Sequence, residues 1–120
     1  MTDIDLNRWS AEKVMGWTIG YVYGLPCYQD FYIKFDINDW HPLTNYNQLF
    51  MVVEKMRESG WHFSLHYDEF GIGCVFYPHP HDGKVRRINR SNDLPTAVLR
   101  AAYEVLKGEN VRYYKIYTPV

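Results

Sequence analysis

The sequence predicts an α+β domain in which helices alternate with antiparallel strands, and three observations carry that reading. Leu49, Phe50, Val53 and Met56 recur at helical spacing, and Leu94, Val98, Ala101, Ala102 and Val105 do so again near the end. Residues 61–67 and 70–77 alternate with period two and are joined by Asp68-Glu69 alone, the signature of an antiparallel hairpin. Helices set between antiparallel strands bury their apolar faces in layers.

The elements follow in order. Residues 4–15 form a first helix, with Leu6, Trp9, Lys13 and Val14 near helical spacing, capped by Asp3 or Asp5 and stopped by Gly16. Residues 17–23 alternate weakly until Gly24-Leu25-Pro26 breaks them. In 31–37, Phe31, Ile33, Phe35 and Ile37 face one way and Tyr32, Lys34 and Asp36 the other, a half-buried strand. A turn at 38–42 leads to a helix over 44–59, capped by Thr44 or Asn45 and ended by Gly60, with Gln48, Glu54, Lys55 and Glu58 off its apolar stripe. In the hairpin 61–77, Gly71 and Gly73 share one face and imply a close neighbour there, such as a helix or another chain. Residues 84–90 read as a short strand or an exposed basic loop. The last helix spans 94–107, capped by Asn92 or Asp93, with Pro95 accommodated in its first turn and Gly108 after its end. Residues 111–117 alternate and form either an edge strand or a strand paired with another subunit.

Composition bounds the possibilities. A chain of 120 residues suits one domain, 1–120, with a real core. No apolar run reaches the roughly 20 residues that span a bilayer, and the acidic Met-Thr-Asp-Ile-Asp start lacks the regions of a signal peptide, so a soluble cytosolic protein is expected. The two cysteines, Cys27 and Cys74, are read as reduced and buried rather than as a disulfide. A net charge of −1 argues against salt-driven binding along a long nucleic acid. Aromatic residues make up 18% of the chain, enough to supply interfaces or stacking sites as well as a core.

Several features together resemble the phage ABA-sandwich domain family, small proteins of tailed phages and prophages of Gram-positive bacteria. These are Ala11-Glu12-Lys13-Val14-Met15-Gly16-Trp17, the turn at 42–47, Val52-Val53-Glu54-Lys55-Met56 before Gly60, Phe76-Tyr77-Pro78, and Pro95-Thr96-Ala97 with Ala101-Ala102. The resemblance spans about residues 8–108. It implies a three-layer α/β/α sandwich with a small, mainly antiparallel sheet packed by the three helices, and a phage origin. It implies no catalytic residues. The segments 21–30, 79–90 and the tail after Glu109 depart from the family pattern.

Catalytic arrangements are lacking in the sequence. Neither cysteine follows a strand-to-helix turn, no Gly-x-Ser-x-Gly elbow occurs, and Gly71-x-Gly73 lies inside a strand rather than before a helix. His62 and His66 share a strand face but stand about 13 Å apart, too far to hold one metal. His79 and His81, with Asp82 or His66, are read as solvated; no metal and no cofactor is expected. Carboxylates such as Asp36, Asp39, Asp68 and Glu69 sit at turns and read as solvated.

Binding is better supported. Lys84, Arg86, Arg87 and Arg90 cluster beside His79, His81 and Asn89, with Tyr77 just upstream. Arginine forks match phosphate geometry and rings stack on bases. The expectation is a non-enzymatic phage protein of the host cytoplasm that sequesters a nucleotide signal of host defence, as a homo-oligomer. Its site would be Tyr77, His79, His81, Lys84, Arg86, Arg87, Asn89 and Arg90, with rings such as Trp40 or Tyr32. The alternative is a protein–protein factor that blocks a host defence enzyme or serves phage assembly, through the aromatic excess and the tail strand.

Overall fold

A computed structural model describes residues 2–30, 33–78, 84–86, 88–107 and 111–113. It is α+β, with three α-helices and small antiparallel sheets: among the described residues, two of three strands each and one pair. The chain resolves into two compact units, Met1–Met56 and Arg57–Val120.

In the first unit, α1 (Asp3–Trp9) is capped by Thr2 rather than by Asp3 or Asp5. The Thr2 hydroxyl accepts from the Asp5 amide at 3.3 Å and donates to the Asp5 carboxylate at 2.6 Å. A threonine there satisfies an amide that the helix leaves unpaired, and those bonds hold the Asp5 carboxyl below its ordinary range. The helix runs on as a π-helical turn, Ser10–Val14, and Gly16 ends it at φ +75°. Strands β1 (Thr18–Val22) and β2 (Leu25–Gln29) pair across a two-residue turn, and β3 (Ile33–Asp36) adds to β2. The expected break at Gly24-Leu25-Pro26 is therefore a hairpin. Tyr23 and Gly24 both take positive φ, 50° and 77°, as the turn that suits twisted strands requires. Pro26 stays in the ladder through its carbonyl, which accepts from the Ile37 amide at 3.3 Å.

Helix α2 (Tyr46–Glu58) is capped by Asn45, whose side chain accepts from the Gln48 amide at 3.1 Å. Its buried stripe is Leu49, Val52, Val53 and Met56; Phe50, expected inside, is 55% exposed. Gln48, expected outside, is buried because it staples the preceding turn: its carbonyl oxygen accepts from the His41 amide at 2.7 Å and its amide donates to the Asp39 carbonyl at 2.6 Å. The core here is aromatic. Trp17 meets Trp40 edge to face at 4.8 Å, and Phe35 lies 5.5 Å from Trp17 and 5.2 Å from Trp40. Such pairs add about 0.5–1.5 kcal/mol each beyond their buried area.

In the second unit, β4 (Trp61–Asp68) and β5 (Gly71–Pro78) form the hairpin, and β7 (Asn89–Ser91) flanks β5 on its other side. The connection is Glu69-Phe70, one residue later than expected. Asp68 accepts from the Phe70 amide at 2.9 Å in an Asx turn, and Gly71 leaves it at φ +112°. Helix α3 (Leu94–Lys107) is capped by Asp93, which accepts from the Thr96 amide at 2.8 Å. It packs on β5 and β7 and buries Cys74, Phe76, Val98, Leu99, Ala101 and Ala102. The neighbour at Gly71 and Gly73 is neither a helix nor another chain but β7 and the residue before it, because β5 is the central strand of its sheet. A Cβ on Gly71 would stand 2.8 Å from the Ser91 carbonyl oxygen, and one on Gly73 would stand 2.6 Å from Ile88 Cγ2. The basic segment contains two short strands: β7 and, before it, β6 (Lys84–Arg86), which lies next to β5 and pairs antiparallel with β8 (Val111–Tyr113). The tail thus pairs within its own chain over 111–113.

Candidate functional site

The residues picked out by the sequence fall on different parts of the second unit. Tyr77 is half-buried near the end of β5, opposite His62 on β4, with their rings 5.9 Å apart. Arg90 on β7 crosses Gly73 toward the hairpin tip. Its Nη1 donates to both Asp68 oxygens, at 2.9 and 2.7 Å, and its guanidinium lies 6.0 Å from the centre of the Phe70 ring. By register, His62 and Tyr77, and His66, Gly73 and Arg90, share one face of the sheet. The Ser64 hydroxyl stands 3.2 Å from His66 Nε2 on that face. Asn89 is on the opposite face: it is buried and donates to Glu104 of α3 at 2.9 Å. The structure therefore brings Tyr77 and Arg90 onto one surface and assigns Asn89 to the packing of α3. Lys84 and Arg86 lie on β6, while His79, His81 and Arg87 lie outside the described residues, as does Tyr32. Trp40 belongs to the core of the first unit.

Charge on this face is organised around Asp68. The Phe70 amide, and after it Arg90, hold the Asp68 carboxyl below its ordinary range. Cys74, on the α3 side, is pushed up to about 12 by burial, which makes it a packing group rather than a nucleophile. Cys27 and Cys74 are both free and buried, as expected. Among the described residues, no group of three or more His, Cys, Asp or Glu side chains is placed to hold a metal ion.

A second feature had little local signal in the sequence. In the first unit a cleft of about 350 Å3 is lined by Asn7 and Arg8 of α1, Tyr28 of β2, and Ile37, Asn38, Trp40 and His41 of the turn before α2. These residues come from three separate segments. Trp40 was the one ring among them that stood out as a candidate, and tertiary packing alone brings the others to it.

Small antiparallel sheets, one of them with a capped helix on its face, define an α+β fold. The sequence model of the phage ABA sandwich domain matches residues 8–103, most of the chain, and the protein belongs to that family. No curated protein and no solved structure matches the chain. The family is not known as an enzyme family. Among the described residues no helix is long and apolar enough to cross a membrane.

Proposed function

We propose that this protein is a non-enzymatic phage binding protein of the host cytoplasm, built on the three-layer sandwich of its family, and that it sequesters a nucleotide-type signal of host defence. The observation that supports this most is the shared face of Tyr77, His62, His66 and Arg90, beside which the basic strand β6 runs next to β5. A ring and a cationic group on one surface, with Lys84 and Arg86 on the adjoining strand, suit a base and a phosphate. His79, His81 and Arg87 complete the proposed site, and Asn89 supports it from beneath by fixing β7 to α3.

A thermal-shift screen of the purified protein against cyclic dinucleotides and ADP-ribose-type cyclic nucleotides tests this. A ligand at 100 times its Kd stabilises the native state by about 2.7 kcal/mol. The expected result is a shift with one compound that is recovered intact after denaturation, and loss of the shift in an Arg86→Ala, Arg87→Ala double variant. Binding that survives the double variant would place the ligand elsewhere.

A second reading has its own observation. On the outer strand β4, Phe63 and Leu65 are each 37% exposed and Tyr67 68%, on the α3 side of the sheet by register but beside the strands that α3 packs on. An apolar row on an edge strand suits contact with another protein, either a second copy in a homo-oligomer or a host enzyme. A flat ligand screen together with a stoichiometric host partner in pull-downs would favour this reading.

A further inference from the structure

The cleft of the first unit contains polar groups that have no partners among the described residues. Tyr28 is only 2% exposed, and among the described residues its hydroxyl has no hydrogen-bond partner. Buried phenol hydroxyls ordinarily find one, and an orphan in a native fold calls for an explanation. Burial lifts the Tyr28 phenol above its ordinary range, Glu12 adds to this and Arg8 opposes it, which places the hydroxyl within the field of both charges. Arg8 gives only its Nε to Glu12, at 3.1 Å, and its terminal nitrogens have no partner among the described residues. Its side chain is 59% exposed, so it reaches the cleft from solvent. His41 has Nδ1 beside the Thr44 hydroxyl at 3.0 Å, which leaves Nε2 for another group. The Asn38 side-chain amide likewise has no partner among the described residues.

The rest of the cleft is rigidly built. Trp40 donates through Nε1 to the Asn7 carbonyl and the Ser10 hydroxyl, both at 3.1 Å, and Asn7 accepts from the Leu43 amide at 3.2 Å. The Gln48 staple fixes the turn that carries Asn38 and His41. Two irregularities flank the lining residues: the π-helical turn that follows α1, and a slip in the β2–β3 register at Tyr28/Gln29. Such bulges re-aim side chains and recur next to functional sites. A volume of about 350 Å3 lies at the small end of ligand pockets, as does a mainly apolar wall with a few convergent polar groups.

We infer that this cleft is a second ligand site, and that it takes a mononucleotide-sized molecule: one anionic group on the open edge of Arg8, and a planar ring along the Tyr28–Ile37–Trp40 wall. The Tyr28 hydroxyl supplies the buried hydrogen bond to this ligand, and Asn38 and His41 Nε2 meet polar edges of the ring. An Arg edge takes one phosphate in bidentate fashion, whereas Glu12 keeps the site from attracting a polyanion. The cleft lies wholly within the first unit, so the inference does not rest on the reading of the basic segment.

The test is a titration of the full chain with adenosine 5′-monophosphate, read by tryptophan fluorescence and by calorimetry. Adenosine and inorganic phosphate serve as half-ligands. Saturable binding is expected. Arg8→Gln should weaken it about tenfold or more and Tyr28→Phe at least severalfold, while the Arg86→Ala, Arg87→Ala double variant should bind as the parent does. Tyr28→Phe keeps the ring and its packing, so it separates loss of a ligand contact from loss of fold; its melting temperature without ligand should equal or exceed that of the parent. A flat titration overturns the inference. So does binding that is untouched by Arg8→Gln and Tyr28→Phe yet lost in the double variant, an outcome that would instead support the basic segment.

Discussion

The two compact units satisfy their polar groups differently. Among the described residues of the second unit, polar side chains beside the core meet one another. Asn89 meets Glu104, Arg90 meets Asp68, and Asp68 also holds the turn at Phe70. In the first unit the backbone is matched with equal care, by Gln48, Asn45 and Thr2, but side chains around one cleft are not. Among the described residues, Tyr28 Oη, the Asn38 side-chain amide and the outer edge of Arg8 have no partner. The difference separates residues that hold the fold from residues that can hold a ligand.

The largest effect expected is on thiol reactivity. Burial moves Cys74 from an ordinary 9.0 to about 12, so near neutral pH its thiolate is scarcer by about a thousandfold. Peptide mass spectrometry after iodoacetamide treatment should find Cys74 unlabelled in the native state and labelled in urea. The sign for stability follows: below pH 9 both states carry the proton, and above it the unfolded chain alone releases it. The Cys74 contribution therefore holds below about pH 9 and declines as pH rises toward 12.

Phe76→Ala should cost about 3–5 kcal/mol, because the ring is fully buried under α3. Urea unfolding measures it, and separate transitions for the two units would sharpen the comparison between them. Gln48→Ala should cost about 1–3 kcal/mol in the first unit, since the His41 amide and Asp39 carbonyl lose their partner. It should also loosen the 38–41 turn, visible as faster amide exchange there. Smaller is the acid limb. Asp68 titrates below its ordinary 3.8 in the folded state, so its contribution is present above that value and lost as pH falls through the folded one. Asp68→Asn should flatten this part of the stability profile and lower the neutral-pH midpoint by the same small amount, since both partners are exposed.

Local patterns in the sequence reveal much of this fold. Helix α3 and the β4–β5 hairpin announce themselves because periodicity and caps are properties of neighbouring residues. The one-residue shift of the hairpin turn comes from Asp68, whose side chain captures the Phe70 amide and so remains in the strand. The β1–β2 hairpin is hidden by Pro26, which reads as a breaker yet keeps its place through its carbonyl. On α2, Phe50 leaves the expected stripe and Val52 is buried in it, because both lie within a turn of it and packing rather than hydrophobicity decides between them. Of the proposed basic site, the sequence shows the charges but not the faces: Asn89 and Arg90 are adjacent in the chain and therefore on opposite sides of the sheet. The cleft is the least legible feature, because residues 7–8, 28, 37–38 and 40–41 are far apart in the chain and meet only through tertiary packing.

The most direct test of the difference between the units is a 1H–15N correlation map of the protein with and without adenosine 5′-monophosphate. The Trp40 indole N–H and the amides of 37–41 should shift together in a saturable manner, while the amides of β7 and α3 remain in place. Unchanged spectra, or shifts confined to the second unit, would contradict the account.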